Sequence, residues 1–66
     1  MINKIYAGWV LCFPNGRKWT IKGRQKIRKT TWYLLQSDDD TRSIDRQRLL
    51  DGLNNNSIQH VESVAV

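Results

Sequence analysis

Sixty-six residues, with 11 Lys+Arg against 6 Asp+Glu and a net charge of +5, leave room for one small unit. A chain this short buries only about 60% of the surface its unfolded form exposes, which excludes a catalytic domain beside a binding domain and any βαβαβ cofactor fold. One cysteine, Cys12, and one histidine, His60, exclude an intramolecular disulfide and the usual Cys/His zinc frameworks.

The charge is placed unevenly. Residues 1–29 hold eight cations and no acid, whereas residues 30–66 hold Arg42, Arg46 and Arg48 against six acids. The total of +5 therefore hides a first part at +8 and a second part at −3. Such a bias concerns partners rather than fold.

The chain opens on Ile5 to Phe13, its longest weakly polar run. Behind Lys4 this run has the look of a signal-peptide core, but no small-residue cleavage site follows it. No segment approaches the roughly 18 apolar residues of a membrane span, so a cytoplasmic location is expected. Tyr6–Phe13 and Arg17–Ile21 flank Pro14-Asn15-Gly16, a hairpin signal. A two-residue Asn15-Gly16 turn would set Trp19 and Ile21 on the face opposite Trp9, Leu11 and Phe13. A type I turn with Pro14 first and Gly16 as a left-handed bulge pairs Phe13 with Arg17, Leu11 with Trp19 and Trp9 with Ile21. All five apolar residues then share one face, and register follows the hydrophobic pattern. The bulged turn is chosen.

Residues 22–29 carry five cations and one apolar residue, and read as a connecting loop with a hinge at Gly23. Thr30 to Ser37 is β-branched and aromatic, hence a strand; Asp38-Asp39-Asp40 turns the chain, and Thr41 to Ile44 returns. Ile44 would pair with Leu34 or Leu35, depending on turn length. Asp45 caps a short helix over 46–51, with Ile44 and Leu49 as a hydrophobic staple and Gly52 as the left-handed residue ending it. Asn54-Asn55-Asn56 turns again, and residues 58–62 form a last strand.

This order predicts a mainly β unit: strands at about 5–13, 17–22, 30–37, 41–44 and 58–62, in a strongly bent antiparallel sheet. With a short helical turn before the final strand, it resembles the SH3-like small barrels, which include Tudor and KOW-type domains. The resemblance covers nearly the whole chain, rests on topology alone and brings no sequence motif. A five-stranded SH3-like barrel is what it implies.

Five basic residues in one loop, Lys22, Arg24, Lys26, Arg28 and Lys29, suit a phosphate backbone, since each neutralised phosphate releases counterions. Arg17 and Lys18 on the neighbouring hairpin extend the patch. Whichever of Trp32 and Tyr33 faces outward would stack on a base, and Tyr33 is taken as that residue. Arg46 and Arg48 sit at a helix start, where the dipole disfavours cations unless an anion binds there. A solvated loop is the plain alternative, though both charge signs are normally interspersed when solubility is the only need.

Three consecutive carboxylates in a turn diverge, so Asp38, Asp39 and Asp40 are read as solvated and no metal is expected. Cys12 and His60 lack an orienting third group or an oxyanion donor, so no catalytic residue and no cofactor are expected. Trp9, Phe13 and Trp19 are assigned to the core. The expected function is a non-enzymatic nucleic-acid-binding module. The competing expectation is a protein-interaction module docking its basic face on an acidic partner, and exposed strand edges leave room for a homo-oligomer.

Overall fold

The computed structural model describes residues 1–65. Five antiparallel strands form one sheet: β1 (Trp9–Cys12), β2 (Lys18–Ile27), β3 (Thr30–Ser37), β4 (Asp40–Asp45) and β5 (Gln59–Ser63). A single helix, α1 (Arg46–Asn54), lies between β4 and β5. The strand order is β4-β3-β2-β1-β5, so β4 and β5 are the two edges and the sheet does not close.

The first hairpin has the register that the apolar pattern demands. Leu11 faces Trp19 and Cys12 faces Lys18, while the Gly16 amide donates to the Phe13 carbonyl and the Phe13 amide to the Arg17 carbonyl. Gly16 takes the left-handed backbone with φ at 85°. The Asn15 side chain accepts from the Arg17 amide and closes the turn. Leu11, Trp19 and Ile21 are buried; Trp9 and Phe13 pack against the core but stay partly exposed.

The segment read as a basic loop is a strand. β2 continues to Ile27, and only Arg28 and Lys29 separate it from β3. Its charges conceal it in the sequence, but β3 is a strong β-former lying alongside and supplies the pairing partner. A β-bulge at Lys22 breaks the register, since Ile21 faces Leu35 and Gly23 faces Leu34. Residues directly opposite each other point to the same face. The extra residue therefore brings Arg24 and Lys26 onto the core face, opposite Tyr33 and Thr31, and turns Gln25 and Ile27 to the other side.

The acidic turn uses two residues, Asp38 and Asp39, with Asp38 left-handed at φ 52°. Ile44 consequently pairs with Tyr33, not with either leucine. The helix also runs longer than 46–51. Gly52 is a buried residue inside α1, and Asn55 is the C-cap. A Cβ at Gly52 would overlap the Ile58 side chain, so glycine serves close packing here, not a left-handed stop.

The core sits between the sheet and α1. Leu49, Leu50 and Leu53 of the helix meet Leu11, Trp19, Ile21, Tyr33 and Leu35 of the sheet, with Ile5 and Ile58 filling the sides. The Asp45 carboxylate accepts from the Arg48 amide and starts the helix. The N-terminal segment is tied on by Asn54, whose side chain exchanges two hydrogen bonds with the Ile2 backbone at 2.7 and 2.9 Å. No helix among the described residues is long and apolar enough to cross a membrane.

Candidate functional site

The bulge and the N-terminal segment together build a cleft at one end of the core. It is lined by the buried Ile21 and Tyr33 and by the exposed Lys4, Tyr6, Arg24 and Arg46. The cavity measures about 470 Å³. A second concavity of about 380 Å³, lined by Arg24, Lys26 and Thr31, adjoins it through the shared Arg24. No acidic side chain among the described residues lines either one.

Each cation has a structural reason for its place. Arg24 and Lys26 alternate along β2 beyond the bulge and so share the core face, past the reach of the apolar residues. Arg46 is the first residue of α1, set there by the Asp45 cap, and one guanidinium nitrogen donates to the Asn3 carbonyl at 2.7 Å. That bond holds the N-terminal segment beside the cleft. Lys4 and Tyr6 flank the buried Ile5, and the alternation leaves both exposed.

Among the described residues the ion pairs are Arg17 with Asp40 at 2.7 Å and Arg48 with Asp45 at 3.7 Å. Lys4, Arg24, Lys26 and Arg46 therefore carry charge with no carboxylate beside it. Arg28 and Lys29 form the tip of the β2–β3 ribbon, whose residues from Arg24 to Thr30 are all exposed. Arg28 is left-handed, with φ at 59°. The ribbon extends the cationic surface away from the cleft.

Of the ten residues singled out from sequence, the structure gathers Arg24, Lys26 and Arg46 around the two concavities and sets Arg28 and Lys29 at the tip. Lys22 is exposed at the bulge and lines neither concavity. Lys18 stands opposite Cys12, at the other end of β2. Arg17 is committed elsewhere: it donates to the Ser37 hydroxyl and carbonyl at 3.0 and 3.1 Å, pairs with Asp40, and lies 4.7 Å from the Trp19 ring centre. Arg48 points its side chain to solvent, 84% exposed.

Tyr33 is not an exposed stacking residue. It is 3% exposed, a core residue that also lines the cleft. Trp32 is half-buried on the opposite face, alongside Gln25. Sequence reasoning missed Lys4 and Tyr6. The cue was present, because a cation and an aromatic bracket an apolar residue that must turn inward.

Tyr6 is 56% exposed and begins an aromatic row. Its ring lies 5.7 Å from that of Trp9, which stacks on His60 at 4.2 Å with 16° between planes. His60 faces Leu11 across the β1–β5 pair and also contacts the Ser63 hydroxyl, so it makes no couple with Cys12. Among the described residues no group of three His, Cys, Asp or Glu side chains is arranged to hold a metal. Comparison with protein-family models, with curated proteins and with solved structures finds no match for this chain.

Proposed function

We propose that the protein is a non-enzymatic nucleic-acid-binding module that grips the phosphate backbone with the cleft and the β2–β3 ribbon. The observation carrying this reading is the run of Lys4, Arg46, Arg24 and Lys26 around two adjoining concavities, unpaired by any acid among the described residues. Phosphates suit such a surface because each one neutralised releases condensed counterions. Arginine adds a planar fork that matches phosphate oxygens. The framework we infer is a small SH3-like half-barrel. Its support is the order β4-β3-β2-β1-β5, a long β2 bent at a bulge, and a helix ahead of β5.

Contacts dominated by phosphate imply weak sequence preference and strong salt dependence. With four or five phosphates engaged, log K falls against log salt with a slope of about −3 to −4.5. The test is a fluorescence titration of oligonucleotides with the protein and with the triple variant Arg24→Glu, Lys26→Glu, Arg28→Glu, after circular dichroism has shown the variant folded. Affinity at low salt is expected to fall at least a hundredfold. Unchanged binding by the folded variant rejects the site. An acidic protein partner would dock on the same cations. A complex that survives nuclease and high salt, with no oligonucleotide binding, puts that partner in place of nucleic acid.

A further inference from the structure

The Tyr33 hydroxyl is left to solvent and not to the protein. The side chain is 3% exposed, yet among the described residues its oxygen has no hydrogen-bond partner, and it is not sealed from solvent. A mostly buried phenol usually finds a partner for its hydroxyl, and here the solvent side, where Tyr33 lines the cleft, is what remains to supply it. This one borders a cavity of about 470 Å³, within the roughly 300–1,000 Å³ of sites that take small molecules. The groups around it are specific in kind: Arg24 and Arg46 donate to anions, Lys4 adds a third cation, and Tyr6 presents an exposed aromatic ring.

We propose that this cleft holds a single unpaired nucleotide, its phosphate between Arg24, Arg46 and the Tyr33 hydroxyl and its base against Tyr6. The assignment rests on the nucleic-acid reading above and narrows it to strands with a base free to leave the stack. Three features combine to exclude a paired strand from the cleft. Tyr33 is a buried lining residue, so a phosphate that meets its hydroxyl enters the cleft. Tyr6 stands at the same opening, where the base attached to that phosphate arrives. A base held in a duplex has both faces stacked and its pairing edge occupied, and cannot meet Tyr6 without being extruded. Tyr6 is free to receive it, because Trp9 is already stacked on His60 and Tyr6 meets only the Trp9 ring, tilted by 57°.

The experiment compares oligothymidylate with a duplex of equal length, using the intact protein, Tyr33→Phe and Tyr6→Ala, with a thermal melt for each. The single strand is expected to bind at least tenfold more tightly than the duplex. Tyr33→Phe is expected to weaken the single strand about tenfold, the loss of one hydrogen bond to a charged group. It leaves the melting temperature in place, since the hydroxyl supports nothing in the fold. Tyr6→Ala is expected to weaken the same strand about fivefold or more, the size of one base stack. Thymidine 5′-monophosphate competes for the cleft, and does so at lower concentration than inorganic phosphate. Equal binding of duplex and single strand, with both tyrosine variants behaving as the parent, overturns the nucleotide cleft while leaving phosphate-backbone binding intact. Loss of both readings requires the separate result that the ribbon charge reversals change nothing.

Discussion

At one end of the sheet Arg17, Ser37, Asp40 and Trp19 hold one another; toward the other end, Arg24, Lys26, Arg28 and Lys29 have no carboxylate to hold among the described residues. The two ends of β3 are about 23 Å apart, counting about 3.3 Å per residue from Thr30 to Ser37. At the first end Arg17 and Asp40 meet as an ion pair at 2.7 Å. The Arg17 guanidinium bridges the β1–β2 turn to the β3–β4 turn and covers the edge of Trp19, while Arg42 approaches the same ring at 5.6 Å. At the second end cations stand alone around a cavity. The contrast teaches that a basic residue's function is decided by what the fold puts beside it. Residue type alone would have assigned Arg17 and Arg24 the same task.

Four substitutions sharpen the contrast. The largest effect is expected at Trp19, the ring on which the paired end is built. Trp19→Ala should cost about 3–5 kcal/mol. A core of this size supplies at most about 3–5 kcal/mol in total, so the variant is expected to be largely unfolded at 25 °C. Circular dichroism against urea checks it, and a cooperative transition near the parent's midpoint would refute the central place of Trp19.

Next comes Arg17→Ala. Its bonds are partly solvent-exposed, so the expected loss is about 1–2 kcal/mol. In a domain of this length that lowers the melting temperature by roughly 4–15 °C. Oligonucleotide affinity is expected to stay within about twofold, since Arg17 lies outside the cleft. A large affinity loss without a stability loss would move Arg17 into the binding surface.

The smallest effect separates the ends most sharply. Asp38 and Arg28 are both left-handed residues in two-residue turns, one at each end. Replacing either with glycine relieves a backbone cost of about 1 kcal/mol, offset in part by the freer unfolded chain. Asp38→Gly and Arg28→Gly should each raise the melting temperature by a few degrees at most. Only Arg28→Gly should also weaken oligonucleotide binding and flatten its salt slope, by about 0.7–0.9 for one phosphate contact. Equal affinities for the two variants would show the ribbon tip to be idle.

Local signals in the sequence proved sufficient where they were strong. Pro14-Asn15-Gly16 and the spacing of Leu11, Trp19 and Ile21 specify the turn and register of the first hairpin, because turn chemistry and apolar alternation agree, although β1 starts at Trp9 and not near residue 5. Asp45 announces the start of α1 by its capping side chain. The basic segment was illegible for a physical reason. Lys22 to Lys29 has no apolar alternation of its own, and its strand character is conferred by Thr30 to Leu35 lying alongside. Gly52 misled because a glycine near a helix end has two uses, and the Ile58 side chain that decides between them arrives from another element. Tyr33 could not be assigned a face from sequence, since that depends on the Lys22 bulge and on the two-residue acidic turn together. The basic surface was foreseen in kind. Its members changed, with Lys4 and Tyr6 gained and Arg17 committed to its own fold.

The bulge at Lys22 makes the charged face a matter of phase. Because Lys22 is the unpaired residue, pairing resumes at Gly23, and the same chain paired without the bulge would exchange the two sides downstream. Arg24 and Lys26 would then trade places with Gln25 and Ile27, setting an isoleucine over the cleft and the cations on the opposite face. Composition and net charge would not change. For this surface a slip in pairing at the bulge is a more drastic event than most substitutions, and it is one to which any measure of overall charge is blind.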